Sequence, residues 1–510
     1  MNNNKKYVIA LDSGTTSCRT IIFNSKGEAV SKSSSEFTQY FPKSGWVEHD
    51  ALEIWTTQLG TLQSAKAKGN IKSEHIAAIG ITNQRETIVL WDKETGLPVY
   101  NAIVWQDRRT SEYCDKLIKD GYDKIIAKKT GLIINPYFSA TKIRWILKNI
   151  PEAREKLKHK KLLVGTIDTW LIWKLTNGAV HATDVTNASR TMLFNINTLE
   201  WDDEILKLLE IPKEILPEVK SSSELYGTID PKFLSQRATA NVPIMGVAGD
   251  QQASLFGQLC TEIGMVKNTY GTGCFTLMNI GQKPILSKNH LVTTIAWKIG
   301  KNKPVYALEG SIFIAGSAIK WLRDSLKILY NSQECDFYCK LAEERDDEQN
   351  VVLVPSFTGL GAPYWDSNSR GAIFGLERGS RREDLVKATV ESIAYQSNDL
   401  LMSMEKDVGK KIKVMKVDGG ASNSNYLMNF QSSISNIEIQ RSKNTETTAL
   451  GAAYLAGLAS GFWKSIDQLK KINKVDKSFK PKLSKQIVDK KLKIWNEAVK
   501  RTLNWTKAIE

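Results

Sequence analysis

The sequence predicts an α/β protein built as two related halves. Three observations carry that reading. The chain has 510 residues, room for two large domains or three average ones at about 150 residues per domain. Short β-rich runs alternate with stretches of helical periodicity. A strand, a turn of small residues and a second strand also occur twice, at 10–16 and again at 267–273. No low-complexity linker divides the halves, so a hinge near residues 250–260 is expected, with domains at 1–252 and 253–510.

The elements follow in order. Tyr7-Val-Ile-Ala-Leu-Asp12 is an apolar run ending on a carboxylate and reads as a buried strand. A Gly/Thr turn leads into its return, Arg19-Thr-Ile-Ile-Phe23, and Asn24-Ser-Lys-Gly27 makes a second turn. Residues 76–82, 87–92 and 102–105 read as further strands. A second set begins near Pro243, at 244–248, 265–269, 275–279, 305–309, 351–355 and 412–417. Helical spacing is clearest where Val386, Val390, Ile393, Ala394, Leu400 and Leu401 share a face, and again over 447–459.

Composition narrows the class. Hydrophobic residues make up 42% and charged residues 25%, the proportions of a globular protein with ample core. Mean hydropathy is −0.29, and no run approaches the roughly 18 apolar residues of a membrane span. The N-terminus is too short in apolar residues for a secretion signal. Six cysteines without a Cys-x-x-Cys are too sparse for a disulfide framework. Cys335 and Cys339, one helical turn apart without a histidine partner, read as packing residues. A cytoplasmic protein is expected.

The formal net charge of +15 raises the question of nucleic acid. From Lys464 onward, however, stand fourteen basic residues against five acidic ones, and thirteen of the fourteen are lysines. Arginine dominates planar recognition of bases and phosphates, and no aromatic ladder interleaves this stretch. Leu492, Trp495, Val499 and Leu503 recur at helical spacing, so the lysines are expected to coat the outer face of a packed helix, with no nucleic-acid partner.

Several motifs are absent: Gly-x-x-x-x-Gly-Lys-Ser/Thr, Gly-x-Gly-x-x-Gly and Gly-x-Ser-x-Gly. The five histidines show no metal-ligand spacing. The first positive signal is Asp12-Ser-Gly14-Thr15-Thr16-Ser17-Cys-Arg19. A strand-ending Asp12 can hold Mg²⁺ through water, and Gly14 lets backbone N–H groups and hydroxyls converge on a phosphate. Arg19 can add a charge-assisted contact. A plain polar hairpin would look the same. The second signal, Gly249-Asp250-Gln251-Gln252, closes an apolar strand with a carboxylate. Asp250 there can act as general base toward a hydroxyl or as a helix N-cap, and one residue can do both. Val417-Asp418-Gly419-Gly420 repeats the strand-to-glycine pattern, and paired glycines permit close approach of a ligand. The third signal is Arg85-Glu86 with Trp105, Tyr137 and Phe275: donors and an acceptor for a polyol's hydroxyls, and rings to wall its carbons. Each of these alone reads as structural.

With these residues assembled, the chain resembles the FGGY carbohydrate kinase family over about nine-tenths of its length. Tyr137-Phe-Ser139-Ala-Thr-Lys142-Ile-Arg-Trp145 fits one family signature. Gly371-Ala-Ile373-Phe-Gly375-Leu376, with Asp384, Leu385, Ala388 and Glu391, fits the other. The stretches 45–50, 80–87, 101–110, 249–252 and 359–366 narrow the resemblance to the branch that acts on glycerol. It implies two actin-like, ribonuclease-H-type domains with ATP in the cleft between them, and transfer of the γ-phosphate of Mg-ATP to glycerol. Arg85, Glu86, Tyr137, Asp250 and Gln251 would then bind glycerol hydroxyls, with Trp105 and Phe275 on its carbons and Asp250 as base. Thr15, Thr16, Ser17, Arg19, Thr272, Gly316 and Gly420 would hold the nucleotide, and Asp12 would face the metal. The nucleotide positions Lys320 and Ser424 depart from the family's usual Gln and Asn, and Ser13 from its usual Gln. The segment 235–241 carries neither the phosphorylatable His nor the fructose-1,6-bisphosphate-linked Arg of some relatives. A homo-oligomer, dimer or tetramer, is expected. The competing readings are a kinase of the same family for another small polyol or sugar, and an actin-like nucleotide switch with no small acceptor.

Overall fold

Two sheets with the same inner strand order organise the chain, for which a computed structural model describes residues 5–234, 240–347 and 349–509. In the first half, β1 (Tyr7–Ser13), β2 (Ser17–Asn24) and β3 (Ala29–Glu36) form an antiparallel meander. Next come β4 (Ile76–Asn83), β5 (Ser223–Thr228) and β6 (Pro243–Gly249), giving the order β5-β6-β4-β1-β2-β3 with β1, β4 and β6 parallel. The second half repeats this with β7 (Val266–Tyr270), β8 (Cys274–Gly281), β9 (Val292–Trp297), β10 (Val305–Ile312), β11 (Val414–Asp418), β12 (Glu438–Ser442) and β13 (Val475–Phe479). Its order is β9-β10-β8-β7-β11-β12-β13, with β7, β11 and β12 parallel. Three antiparallel strands followed by two parallel ones is the ribonuclease-H-type sheet, present twice. The repeat read at 10–16 and 267–273 is the β1–β2 and β7–β8 hairpin pair.

The long apolar runs reflect sheets covered on both faces. Ile9 and Leu11 pack with Ile54 and Leu62 of α1 (Ala51–Lys68), while Val8 and Ala10 face the other way. On that second face, α2 (Asp250–Gly257) follows β6, and the helix α6 (Thr447–Ala459) follows β12. Between them in sequence lie α3 (Gly316–Asp324), α4 (Arg382–Val408) and α5 (Asn425–Ser435), and α7 is Lys485–Thr502. Helix α6 belongs to the second half in sequence yet packs on the first sheet. Small residues make that possible: a Cβ on Gly80 would meet the Ala452 carbonyl oxygen at 2.2 Å. The α2–α6 crossing is closer still, because a Cβ on Gly451 would meet the Ala253 carbonyl oxygen at 1.8 Å.

The strands read from the sequence are all present, with ends shifted by no more than three residues. Among the strands of five or more residues, six were not read: β3, Leu162–Thr166, β5, β9, β12 and β13. Leu162–Thr166 belongs to a small four-stranded sheet with Glu48–His49, Ala102–Ile103 and Ile88–Asp92. Cys335 and Cys339 are buried free thiols, as packing residues should be. In α7, Trp495 is buried and stacks on Tyr395 of α4, with centroids 5.1 Å apart, while Lys485, Lys490, Lys493 and Lys500 face outward. Residues 235–239, most of the segment on which the two regulatory comparisons rest, lie outside the described residues.

Candidate active site

The site is built where strands of both sheets end. After β4 the chain turns sharply through Glu86, whose φ of +62° places a non-glycine residue in the left-handed region. The Thr87 N–H donates to the Arg85 carbonyl at 2.7 Å, closing a three-residue turn of the rare positive-φ kind. That strained turn brings Arg85 and Glu86 into one buried cluster. Arg85 Nη1 and Nη2 meet Glu309 at 2.6 and 2.8 Å, a two-point contact reaching from the first domain to β10 of the second. Its Nε lies 3.2 Å from Asp250 Oδ1, and Nη2 donates to the Tyr137 hydroxyl at 3.4 Å. Arg190 Nε donates to Glu86 at 2.6 Å.

Asp250 is the first residue of α2. Gly249 occupies the N-cap position, so the capping role weighed for Asp250 is not the one it plays. Its carboxylate accepts from the Gln251 N–H at 2.7 Å and remains partly exposed. Burial raises its proton affinity, while Arg85 and Lys267 oppose the rise. Lys267 of β7 is buried and donates to Gln251 Oε1 and to Thr269 Oγ1. Burial brings its ammonium down to about 8 against the pull of Asp418, Asp250 and Glu309.

Rings wall one side. Trp105 and Tyr137 meet edge to face at 5.5 Å, and the Trp105 indole N–H donates to Thr15 Oγ1 at 3.0 Å, tying the ring to the first hairpin. Phe275 pairs with Ser311 in register, and Leu277 pairs with Glu309. Alternation along β8 therefore puts Phe275 on the sheet face that carries Glu309.

The two hairpin tips are alike. The Gly14 N–H donates to the Ser17 carbonyl and the Gly271 N–H to the Gly273 carbonyl, both at 2.9 Å. Thr15, Thr16 and Ser17 lie at the first tip, partly or fully exposed. At the second, the Thr272 carbonyl accepts from the Ala315 and Ser317 N–H groups, locking the tip to the start of α3. Gly316 is required there, since a Cβ would meet the Gly271 carbonyl oxygen at 2.5 Å. Gly419, at φ +87°, leads to an exposed Gly420. The hairpin tip, the α3 start and this glycine pair thus lie together at one end of the second sheet.

Four further sequence-derived positions are Arg19, Lys320, Ser424 and Asp12. Arg19 is held between Asp12 and Glu446, the latter at 3.0 Å. Lys320 lies on the exposed face of α3, one turn before Asp324. Ser424 caps α5, accepting from the Leu427 N–H at 3.0 Å, and its hydroxyl donates to Asp336. Asp12 is buried; desolvation raises its proton affinity and Arg19 lowers it. Sequence reasoning missed Glu309 and Arg190, and it quoted Lys267 only as part of a hairpin.

A duplicated ribonuclease-H-type sheet, with a glycine hairpin from each half and a carboxylate at the start of α2, defines the actin-like ATPase fold class. The chain belongs to the FGGY family of carbohydrate kinases: the family's N-terminal domain matches residues 7–257 and its C-terminal domain residues 266–460. It is 78% identical over 509 residues to a glycerol kinase of Malacoplasma penetrans, covering 100% of each chain. It is 68% identical to one of Mycoplasmoides gallisepticum, covering 99% of each. The structure matches the crystal structure of Plasmodium falciparum glycerol kinase with ADP at a TM-score of 0.92 and 39% identity, over 98% of each chain.

Proposed function

We propose that the protein transfers the γ-phosphate of ATP to glycerol, giving sn-glycerol 3-phosphate and ADP. One observation supports the reading most directly: the Asp250 carboxylate lies 3.2 Å from Arg85 Nε, and Arg85 also contacts Glu86 and the Tyr137 hydroxyl. Asp250 takes the proton of the attacking hydroxyl, and burial in the cleft strengthens it as a base. Arg85, Glu86, Tyr137 and Gln251 orient the hydroxyls, and Trp105 and Phe275 wall the carbons. Thr15, Thr16, Ser17, Arg19, Thr272, Gly316 and Gly420 border the nucleotide, with Lys320 and Ser424 at its outer edge. Phosphoryl transfer depends chiefly on such positioning and on neutralised charge. An apolar wall also keeps out water, the competing acceptor.

The residues present suit magnesium. Asp12 and Asp250 are hard oxygen donors, and Asp12 is close enough to raise the proton affinity of Asp250. Asp12 would face Mg²⁺, which would neutralise phosphate charge when bound. Among the described residues no helix is long and apolar enough to cross a membrane. The proposed setting is the cytoplasm, as a dimer or tetramer, without nucleic acid.

The test is ADP release from Mg-ATP with glycerol, xylulose, gluconate, erythritol or no acceptor. Stimulation by glycerol above the others is expected. A stronger response to another acceptor would replace glycerol, and acceptor-independent turnover would point to a nucleotide switch.

A further inference from the structure

We infer that Glu309 and Arg190 are positioning residues for acceptor recognition, completing with Arg85 and Glu86 a buried charge quartet assembled from both domains. The inference rests on the polyol assignment just made and extends it to two residues that touch no acceptor themselves.

The four side chains are almost wholly excluded from solvent and alternate in sign around a ring. Glu86 meets Arg190 at 2.6 Å, Arg190 meets Glu309 at 3.1 Å, Glu309 meets Arg85 at 2.6 Å, and Arg85 returns to Glu86 at 3.7 Å. Two carboxylates balance two guanidiniums, the condition under which buried charge is tolerated. Burial alone would push the Glu309 carboxyl up, but Arg190 and Arg85 bring it down to about 2, favouring the ionised form that both guanidiniums contact.

The geometry shows what each member does. An arginine fork prefers two-point contact with a carboxylate. Glu309 takes the Nη1–Nη2 edge of Arg85, leaving Nε toward Asp250 at a single point. Without Glu309, the fork would be free to clamp Asp250 and occupy the carboxylate that must receive the substrate's proton. Arg190 acts likewise on Glu86. The strained turn at Glu86 is pinned at its carbonyl by the Ser139 hydroxyl, 3.1 Å away, and at its carboxylate by Arg190 Nε. Because Glu309 lies on β10 of the second sheet, Arg85 takes its aim only when the two halves are together. Packing of the Arg190 guanidinium against the Phe138 ring, 5.1 Å to the centroid, fixes the remaining side.

The test uses the full-length enzyme and its Glu309→Gln, Glu309→Asp, Arg190→Gln and Arg190→Lys variants, with ADP affinity measured by calorimetry beside steady-state kinetics. In Glu309→Gln and Arg190→Gln, KM for glycerol should rise about 10–100-fold, the range of a lost charged hydrogen bond, with KM for ATP and ADP affinity held to about twofold. Glu309→Asp should recover part of that loss. Arg190→Lys keeps the charge without the fork and should remain impaired. If the glutamine variants do not fold, Arg190→Lys carries the same test. Equal rises in both KM values, or loss of ADP affinity alongside, would overturn the inference in favour of a plain domain staple. So would an unchanged KM for glycerol. A wild-type enzyme without glycerol-dependent turnover would overturn the polyol assignment itself, whereas normal wild-type turnover with unaffected variants would overturn the quartet alone.

Discussion

Arg85 has five N–H donors, and its neighbours show how a single residue serves recognition and catalysis together. Three carboxylates, an amide and a phenol lie around it, so its plane is fixed before any substrate arrives. Arg85→Ala should raise KM for glycerol by about 10-fold or more, the scale of a lost charged hydrogen bond. It should leave KM for ATP far less changed; equal effects in steady-state assays would remove Arg85 from the acceptor site. Asp250→Asn keeps size and hydrogen bonding but cannot accept the proton, so kcat should fall about 10²–10⁴-fold. A variant retaining most of its turnover in the same assay would free Asp250 of the base role. Arg85 and Glu86 were legible because two opposite charges stand together directly after a strand. Glu309 was not, although a signal existed: it interrupts the apolar run Val305-Tyr-Ala-Leu, and a charge inside a buried strand needs a partner. Arg190, in Asn187-Ala-Ser-Arg-Thr, offered no comparable signal, because its partners are 104 and 119 positions away.

At the scale of elements, helix α6 was readable from its periodicity, but its place was not. Its residues Ala449, Leu450, Ala452 and Ala453 are buried on different sides, so no single polar stripe reveals what it touches. The glycines of α2 and α6 set the distance of closest approach. Gly451→Ala should therefore destabilise the protein by about 1–3 kcal/mol through overpacking, read as a lowered melting temperature. An unchanged melting temperature would mean that the crossing has slack. β3 escaped the sequence reading because Ala29-Val-Ser-Lys-Ser-Ser-Ser-Glu36 is an exposed edge, held by its ladder to β2 rather than by apolar burial. The docking of α7 makes a pH-dependent prediction. Asp399 Oδ2 accepts from the Trp495 indole N–H at 2.8 Å and the Tyr364 hydroxyl at 2.9 Å. Burial raises this carboxyl from 3.8 to about 7 against those two hydrogen bonds. The folded state thus holds the proton more tightly than the unfolded chain. The stability this adds is full below about pH 4 and is lost as pH rises through about 7. Asn at this position offers one oxygen to both donors and no titration. Melting temperatures taken at pH 5 and pH 8 should fall more steeply for wild type than for Asp399→Asn; equal slopes would dissociate Asp399 from the effect.

The whole molecule joins two sheets through one shared core. Two halves of alternating strands and helices were legible in the paired hairpins, and the absence of a linker pointed to a hinge rather than a tether. The degree of interlocking was not legible, since it depends on contacts between residues hundreds of positions apart. Val8, Ala10, Phe23 and Ala248 of the first sheet, Phe256 of α2, Leu277 and Ala307 of the second sheet, and Ala453, Tyr454 and Trp463 form a single buried cluster. The Trp463 indole N–H reaches the Ser25 carbonyl at 2.9 Å, fastening the chain after α6 to the turn between β2 and β3. Removing the second half would therefore uncover a face of the first sheet, and the reverse holds for α2 against β7 and β8. A chain of this size with two sheets would ordinarily unfold in steps. The shared cluster predicts one cooperative transition instead, with calorimetric and van't Hoff enthalpies in agreement. ADP, which stabilises by binding the native state, should shift that transition as a unit rather than split it. Two resolved transitions, or a low-temperature shoulder that ADP leaves in place, would show the halves to be energetically separate. The α2–α6 crossing would then be a bearing between two domains rather than part of a common core.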